Sequence, residues 1–272
     1  MTEASFQSKV AAKLDLSSLR HMINAAEPVD FHAIMEFYRC FGVYGLPGDV
    51  VVPTYGLAEH TVFVCSGGKQ VITVNKAVLE AGKVELIGEI DVLTAKEGTG
   101  HGSTQQEEES STEQRIVGCG YPSHAEDVQV LIVDSNTEAT AEDAWTAQPE
   151  GVVGEIWIAS PSKAQGYWNQ LALSEHEFHA KLSSDNGMGG NGFLRTGDLG
   201  FMLNSELFIC GRMKDLIIVR GSNHYPQDIE RTAEQHQAAY LRAGCSAAFS
   251  LKGTQKRHTE DVIYIAEVSV IR

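Results

Sequence analysis

No stretch of this chain approaches the roughly 18 consecutive apolar residues of a membrane-spanning helix, and the opening segment, Met1 to Asp15, carries scattered charges where a secretory leader needs an apolar core. Neither a transmembrane segment nor a cleaved leader is expected. Basic residues are scarce: 21 Lys and Arg face 36 Asp and Glu, a formal charge of -15. That balance repels a phosphate backbone and argues against a nucleic-acid partner. A bound nucleotide remains compatible with it, because one metal ion and a few local donors outweigh distant charge. Cysteine is sparse as well. Cys40, Cys65, Cys119, Cys210 and Cys245 are odd in number, widely spaced and without a C-x-x-C pair. They read as buried reduced thiols in a soluble, cytoplasmic protein. The histidines His60, His101, His124, His176 and His179 lack metal-ligand spacing and read as surface or capping residues.

What is present is enough apolar material, 43% of 272 residues, to bury a substantial core. From Asp30 the run DFHAIMEFYRCF puts Phe31, Ile34, Phe37, Tyr38 and Phe41 on one helical face, with Asp30 as N-cap. Gly42 to Gly48 ends that helix, and Val50 to Val52 reads as a buried strand feeding a loop from Tyr55 to His60. Beyond Thr61 the pattern is strand-rich: TVFVC, VQVLIVD from Val128, EIWIAS from Glu155, and FMLNSELFIC from Phe201 with a tight turn at Asn204-Ser205. The polar, acidic stretch Glu97 to Arg115 lacks large apolar residues and reads as a disordered loop. After Arg212 come a strand at DLIIV, a loop at GSNHY, a helix from Pro226 and strands near Cys245 and Val262, a βαβ-type tail. The expected fold is mixed α/β in three parts: the end of an α/β subdomain over residues 1–60, a barrel-like β-rich subdomain over 61–211, and the start of a small α+β C-terminal domain over 212–272.

Three short strings occur in order: Tyr55-Gly56-Leu57-Ala58-Glu59, then Arg195-Thr196-Gly197-Asp198-Leu199-Gly200, then Gly211-Arg212-Met213-Lys214-Asp215 with Asn223-His224-Tyr225-Pro226-Gln227-Asp228-Ile229-Glu230 behind it. Any one is weak alone; the ordered set resembles the adenylate-forming superfamily of acyl-CoA synthetases, adenylation domains and luciferases. The N-H-Y-P-Q-D-I-E string, Ala26-Glu27-Pro28 and the long segment after Glu59 are most similar to its fatty-acyl-AMP ligase branch.

The resemblance implies ATP-dependent activation of a fatty acid to an acyl-adenylate, with magnesium (Mg2+) as the hard cation that brings two anions together. It assigns Glu59 to the metal and to catalysis, and Tyr55, with Gly56 allowing close backbone approach, to the adenine. Backbone around Ala25-Ala26-Glu27 also faces the adenine, with Ala25 standing where glycine is usual. Asp198 takes the ribose hydroxyls and Arg212 the ribose or phosphates. Lys214 aligns with the hinge about which the small domain rotates between half-reactions, and Ser222 stands where close relatives often carry arginine. The segment from Ser66 to Gly120, with an ordered part at Val71 to Ile90, resembles the insertion that disfavours coenzyme A and leaves an acyl-carrier protein or polyketide synthase as acceptor. No Gly/Ser/Thr-rich phosphate loop precedes Tyr55 and no downstream catalytic lysine is recognisable, so the chain is expected to be part of a longer enzyme and inactive alone. Alternatives are an acyl-CoA synthetase, distinguished by its thiol acceptor, and a non-catalytic regulatory module of the same fold.

Overall fold

The computed structural model of the protein describes residues 14–88, 90–93, 112–123, 127–134, 145–183, 192–251 and 261–269. The chain opens with strand β1 (Met22–Asn24) and helix α1 (Phe31–Phe41). Asp30 caps α1, its carboxylate accepting from the Ala33 N–H at 2.6 Å. The periodicity that defines the helix also buries it: Ile34 and Tyr38 are covered, and the Tyr38 hydroxyl accepts from the Val51 N–H. Strand β2 (Val51–Leu57) runs parallel to β1, pairing Met22 with Val51 and Asn24 with Pro53. It extends through Tyr55, Gly56 and Leu57, which the sequence suggested as loop. A buried backbone must be paired, and β3 (Val62–Ser66) supplies the partner.

Strand β4 (Gln70–Asn75) and helix α2 (Lys76–Glu80) follow, then β5 (Asp91–Val92) and β6 (Glu113–Val117). The polar-loop expectation is corrected at Glu113 to Arg115, which pair with Asn75 to Thr73 as the first half of β6. Residues 97–111 of that stretch lie outside the described residues. The expected insertion is also more integral than its sequence implied. β4 is the central strand of a three-stranded sheet, β5-β4-β6. Its Ile72 and Val74, with Leu79 of α2, sit in one core cluster with Leu199, Phe201 and Phe208. Val71 packs with Ile34 and Tyr38 of α1.

Strands β7 (Tyr121–Pro122), β8 (Gln129–Val133) and β9 (Gly154–Ala159) lead to helix α3 (Leu171–Phe178) and the long hairpin β10 (Leu194–Leu203) and β11 (Glu206–Arg212). One sheet has the order β1-β2-β3-β7 and another β11-β10-β9-β8. Between them lies a cluster of Tyr55, Val64 and Cys65 against Ile132, Ile156, Ile158 and Leu207. No sheet closes on itself among the described residues, so the barrel-like middle is a set of packed antiparallel sheets. The Asn204-Ser205 turn is as expected, with φ of 50° and 64° at its two central residues. Glu150 caps both of their N–H groups. Glu206, fully buried at the next position, accepts from Lys69 N–H at 2.9 Å and from the Tyr121 hydroxyl at 3.1 Å. It thereby clips both ends of the segment containing β4 and β6 to the hairpin.

The tail comprises hairpin β12 (Ile217–Val219) and β13 (Ser222–His224), helix α4 (Pro226–His236), and hairpin β14 (Leu241–Leu251) and β15 (Asp261–Val268). Both strand pairs are antiparallel, which corrects the βαβ reading: Ser222–His224, taken for loop, returns directly along Ile217–Val219. Pro226 at the first helical position explains the sharp start of α4.

Candidate functional site

β2 runs on past the end of its parallel partner β1, which pairs with it only as far as Asn24 and Pro53, and Tyr55 and Gly56 lie on that extension with Glu59 just beyond it, at the side where parallel strands open a crevice. The segment Ala25–Pro28 leaves β1 just after Asn24 pairs with Pro53, with Ala26 in the left-handed region at φ 75°. Tyr55 is 9% exposed, its ring enclosed by core residues, and its hydroxyl donates to Asp198 Oδ2 at 2.7 Å. It is therefore the hydroxyl, more than the ring face, that reaches the site. Gly56 has a nearer reason than ligand approach: a Cβ there would stand 1.7 Å from the Val62 carbonyl oxygen of β3.

Asp198 lies in strand β10, which is irregular where it matters. β10 shifts register against β9 between Arg195 and Leu199, and Gly197 adopts φ 71° with open space around it. Glu155 holds this bulge. Its carboxylate, 4% exposed, accepts from Arg195 at 3.0 Å, from the Gly197 N–H at 3.1 Å and from Trp157 Nε1 at 2.9 Å. Thr196 donates to the Ile156 carbonyl and accepts from the Asp198 N–H. Asp198 is thus aimed by its own backbone.

Arg212, directly opposite on β11, approaches Asp198 Oδ1 with its Nε at 3.2 Å while its side chain is 72% exposed. Burial raises the proton affinity of Asp198 most, the Tyr55 hydrogen bond and Arg212 lower it, and the charge of Glu59 raises it again, leaving its pKa above the ordinary value. That coupling brings Glu59 into the same electrostatic neighbourhood. Glu59 stands in the short 3-10 turn Ala58–His60 after β2 and is half-buried. One of its oxygens accepts from the Tyr167 hydroxyl at 2.8 Å, and the other has no hydrogen-bond partner among the described residues.

Lys214 is exposed in the 3-10 turn Met213–Asp215, the only link between β11 and β12. Ser222 opens β13, exposed. Ala25, Ala26 and Glu27 follow directly on β1, whose last paired residue, Asn24, stands opposite Pro53, two positions before Tyr55.

Among the described residues no group of three or more His, Cys, Asp or Glu could hold a metal. A single half-buried carboxylate with one unoccupied oxygen does suit magnesium, which keeps most of its shell for water and substrate phosphates. His60 corrects the surface expectation: it is 1% exposed, Nδ1 2.8 Å from the Phe63 carbonyl oxygen and Nε2 against the Ser160 hydroxyl. His101 and His124 lie outside the described residues. No cysteine is disulfide-bonded; Cys65, Cys119 and Cys210 are buried, whereas Cys40 is exposed and Cys245 half-buried. Burial pushes the Cys119 and Cys210 thiols up to about 12. Glu155, Tyr167 and Glu206 were not singled out from sequence. The available signal for Glu155 was an acid inside an apolar strand run, which demands a partner.

The AMP-binding enzyme family profile matches residues 1–168. A medium-chain-fatty-acid–[acyl-carrier-protein] ligase of Moorena producens is 38% identical over 250 residues, covering 90% of this chain and 37% of its own length. A long-chain-fatty-acid–AMP ligase of Mycolicibacterium smegmatis is 32% identical over 257 residues, covering 89% and 36%. Among solved structures, one from work on fatty acyl-adenylate ligases of E. coli and L. pneumophila superposes with TM-score 0.74 at 28% identity, covering 99% of this chain and 41% of that one. A fatty acid AMP ligase from Legionella pneumophila gives TM-score 0.58 at 32% identity over 99% of this chain and 40% of its own. The chain spans well under half the length of each.

Proposed function

Because the chain belongs to the AMP-binding enzyme family, we propose that the protein to which it contributes activates a fatty acid with ATP. The product is an acyl-adenylate, which is passed on to the thiol of an acyl-carrier protein or polyketide synthase. The observation that carries this reading is the chain of contacts from Tyr55 through Asp198 to Arg212, with Glu59 in charge reach, where β2 runs on beyond the end of its parallel partner β1. In the reaction a carboxylate oxygen of the acid bonds to the α-phosphorus, and the bond from that phosphorus to the bridging oxygen of pyrophosphate breaks. Glu59 would hold magnesium, which would supply charge neutralisation for the phosphates. Asp198 accepts from the ribose hydroxyls, since each carboxylate oxygen keeps a lone pair beyond the one used by Tyr55 or Arg212. Arg212, largely exposed, is able to turn from Asp198 toward the phosphates. Tyr55 with Gly56, and the turn at Ala25, Ala26 and Glu27, border the adenine.

Lys214 is the hinge. The acceptor reading is supported by contacts that join the 66–120 segment to the start of the tail: His224 Nδ1 to Glu80 at 3.1 Å, Gln114 to Asp228 at 3.1 Å, and Tyr225 packed with Ile72, Val74 and Leu79. Such contacts hold the tail in one arrangement and disfavour another. Cysteines without disulfides suit a reducing cytoplasmic compartment; no helix among the described residues is long and apolar enough to cross a membrane.

In the full-length protein Asp198→Ala removes charge-assisted bonding worth about 1.5–3 kcal/mol, a loss of about 10- to 150-fold in acid-dependent ATP–pyrophosphate exchange. Unchanged exchange in a folded variant would overturn the assignment.

A further inference from the structure

We propose that Tyr167 is a positioning residue for the metal-binding carboxylate: its hydroxyl fixes one oxygen of Glu59 so that the other is presented alone to the cation. The inference rests on the reading of Glu59 as the metal ligand. Its physical basis is the loop that follows β9. That loop grips the Glu59 turn through main chain and side chain alike. The Ala164 N–H donates to the Glu59 carbonyl at 2.8 Å, the Thr61 hydroxyl donates to the Ser162 carbonyl at 3.0 Å, and Ser160 meets His60.

Tyr167 is in turn immobilised from behind. Its N–H donates to the Ser174 hydroxyl of α3 at 2.8 Å, and its ring stands edge-on to Phe178, with centroids 5.0 Å apart and planes at 85°. Phe178 is 1% exposed, so the ring rests on a fixed wall. The close approach of the loop to α3 needs Gly166, where a Cβ would lie 2.5 Å from the Ser174 side chain. A rigid phenol therefore points a donor at a carboxylate that would otherwise rotate about three side-chain bonds.

Two consequences follow for the ligand oxygen. The carboxylate cannot turn to offer both oxygens, which favours the single-oxygen contact that magnesium takes, and the entropy of fixing it is spent before the metal arrives.

The test is Tyr167→Phe in the full-length protein, with two readouts. Binding of Mn2+ in the presence of a non-hydrolysable ATP analogue, followed by electron paramagnetic resonance, should weaken about 10- to 100-fold. The free Mg2+ needed for half-maximal pyrophosphate exchange should rise by a similar factor, with exchange recovering at saturating Mg2+. The KM for fatty acid and metal-free AMP binding should hold. The double variant Glu59→Gln/Tyr167→Phe should bind Mn2+ no more weakly than Glu59→Gln alone. Unchanged Mn2+ binding in Tyr167→Phe, with weakened binding in Glu59→Gln, would overturn the positioning role and leave the metal role standing. Unchanged binding in both would remove the metal reading itself. Loss of metal-free AMP binding, or additive losses in the double variant, would make Tyr167 merely structural and equally overturn the inference.

Discussion

Asp198 is held by a phenol on one oxygen and a guanidinium near the other, yet burial outweighs both and keeps its proton affinity raised. The sign has a functional consequence. Only the ionised carboxylate accepts from both ribose hydroxyls, so nucleotide affinity should fade on the acid side at a higher pH than an exposed aspartate would give. For stability the same shift works the other way: the folded state binds the proton more tightly, so this group's contribution falls as pH rises through its titration. Arg212→Ala removes an influence that favours the ionised form. The acid limb of AMP binding, measured by calorimetry across pH, should therefore move upward, and a limb that stays in place would dissociate Arg212 from Asp198. At this scale Glu59, Asp198 and Arg212 could be proposed from the sequence, because the resemblance that points to them is carried by local strings. Glu155 and Tyr167 were not, because their meaning lies in partners 40 and 108 positions away.

The hairpin of β10 and β11 was legible in outline, because alternating apolar residues flank a two-residue turn. Its turn carries two non-glycine residues at positive φ, a conformation that costs about 1 kcal/mol for a residue with a Cβ. Ser205→Gly should accordingly raise stability by about 0.5–1 kcal/mol, read as a higher denaturant midpoint with an unchanged slope. A lower midpoint would mean that the Glu150 cap depends on the serine. Less legible was the segment holding β4 and α2. Composition marks it as additional to the site motifs, but not that Ile72, Val74 and Leu79 are fully covered core. Burial on both faces erases the alternation by which a strand is recognised. Excising Val71 to Ile90 would therefore open the core, and side-chain changes at Glu80 or Gln114 are the cleaner way to separate this segment from the tail.

Across the whole molecule, the tail is joined to the rest through the short turn Met213–Asp215, a few polar contacts and the buried Tyr225, so the proposed rotation would have to release that apolar contact as well. Lys214 lies in the first turn of a short helical segment, a place that tolerates proline and where proline would restrict the backbone. Lys214→Pro in the full-length protein should keep adenylation within about tenfold while transfer to a thiol acceptor falls by more than that. Equal loss of both half-reactions would count against a hinge.

Tyr55 and Asp198 are 143 residues apart in sequence, and their hydrogen bond bridges the two larger sheets. In kinetic terms that contact closes one of the longest loops in the chain, and the entropy of closure must be met before it exists. Each sheet can form its own ladders first; the proposed nucleotide site comes into being only when the sheets dock. A nucleotide present during refolding consequently has nothing to bind until the end, and it acts by slowing the reverse reaction, holding shut a structure that it did not help to build.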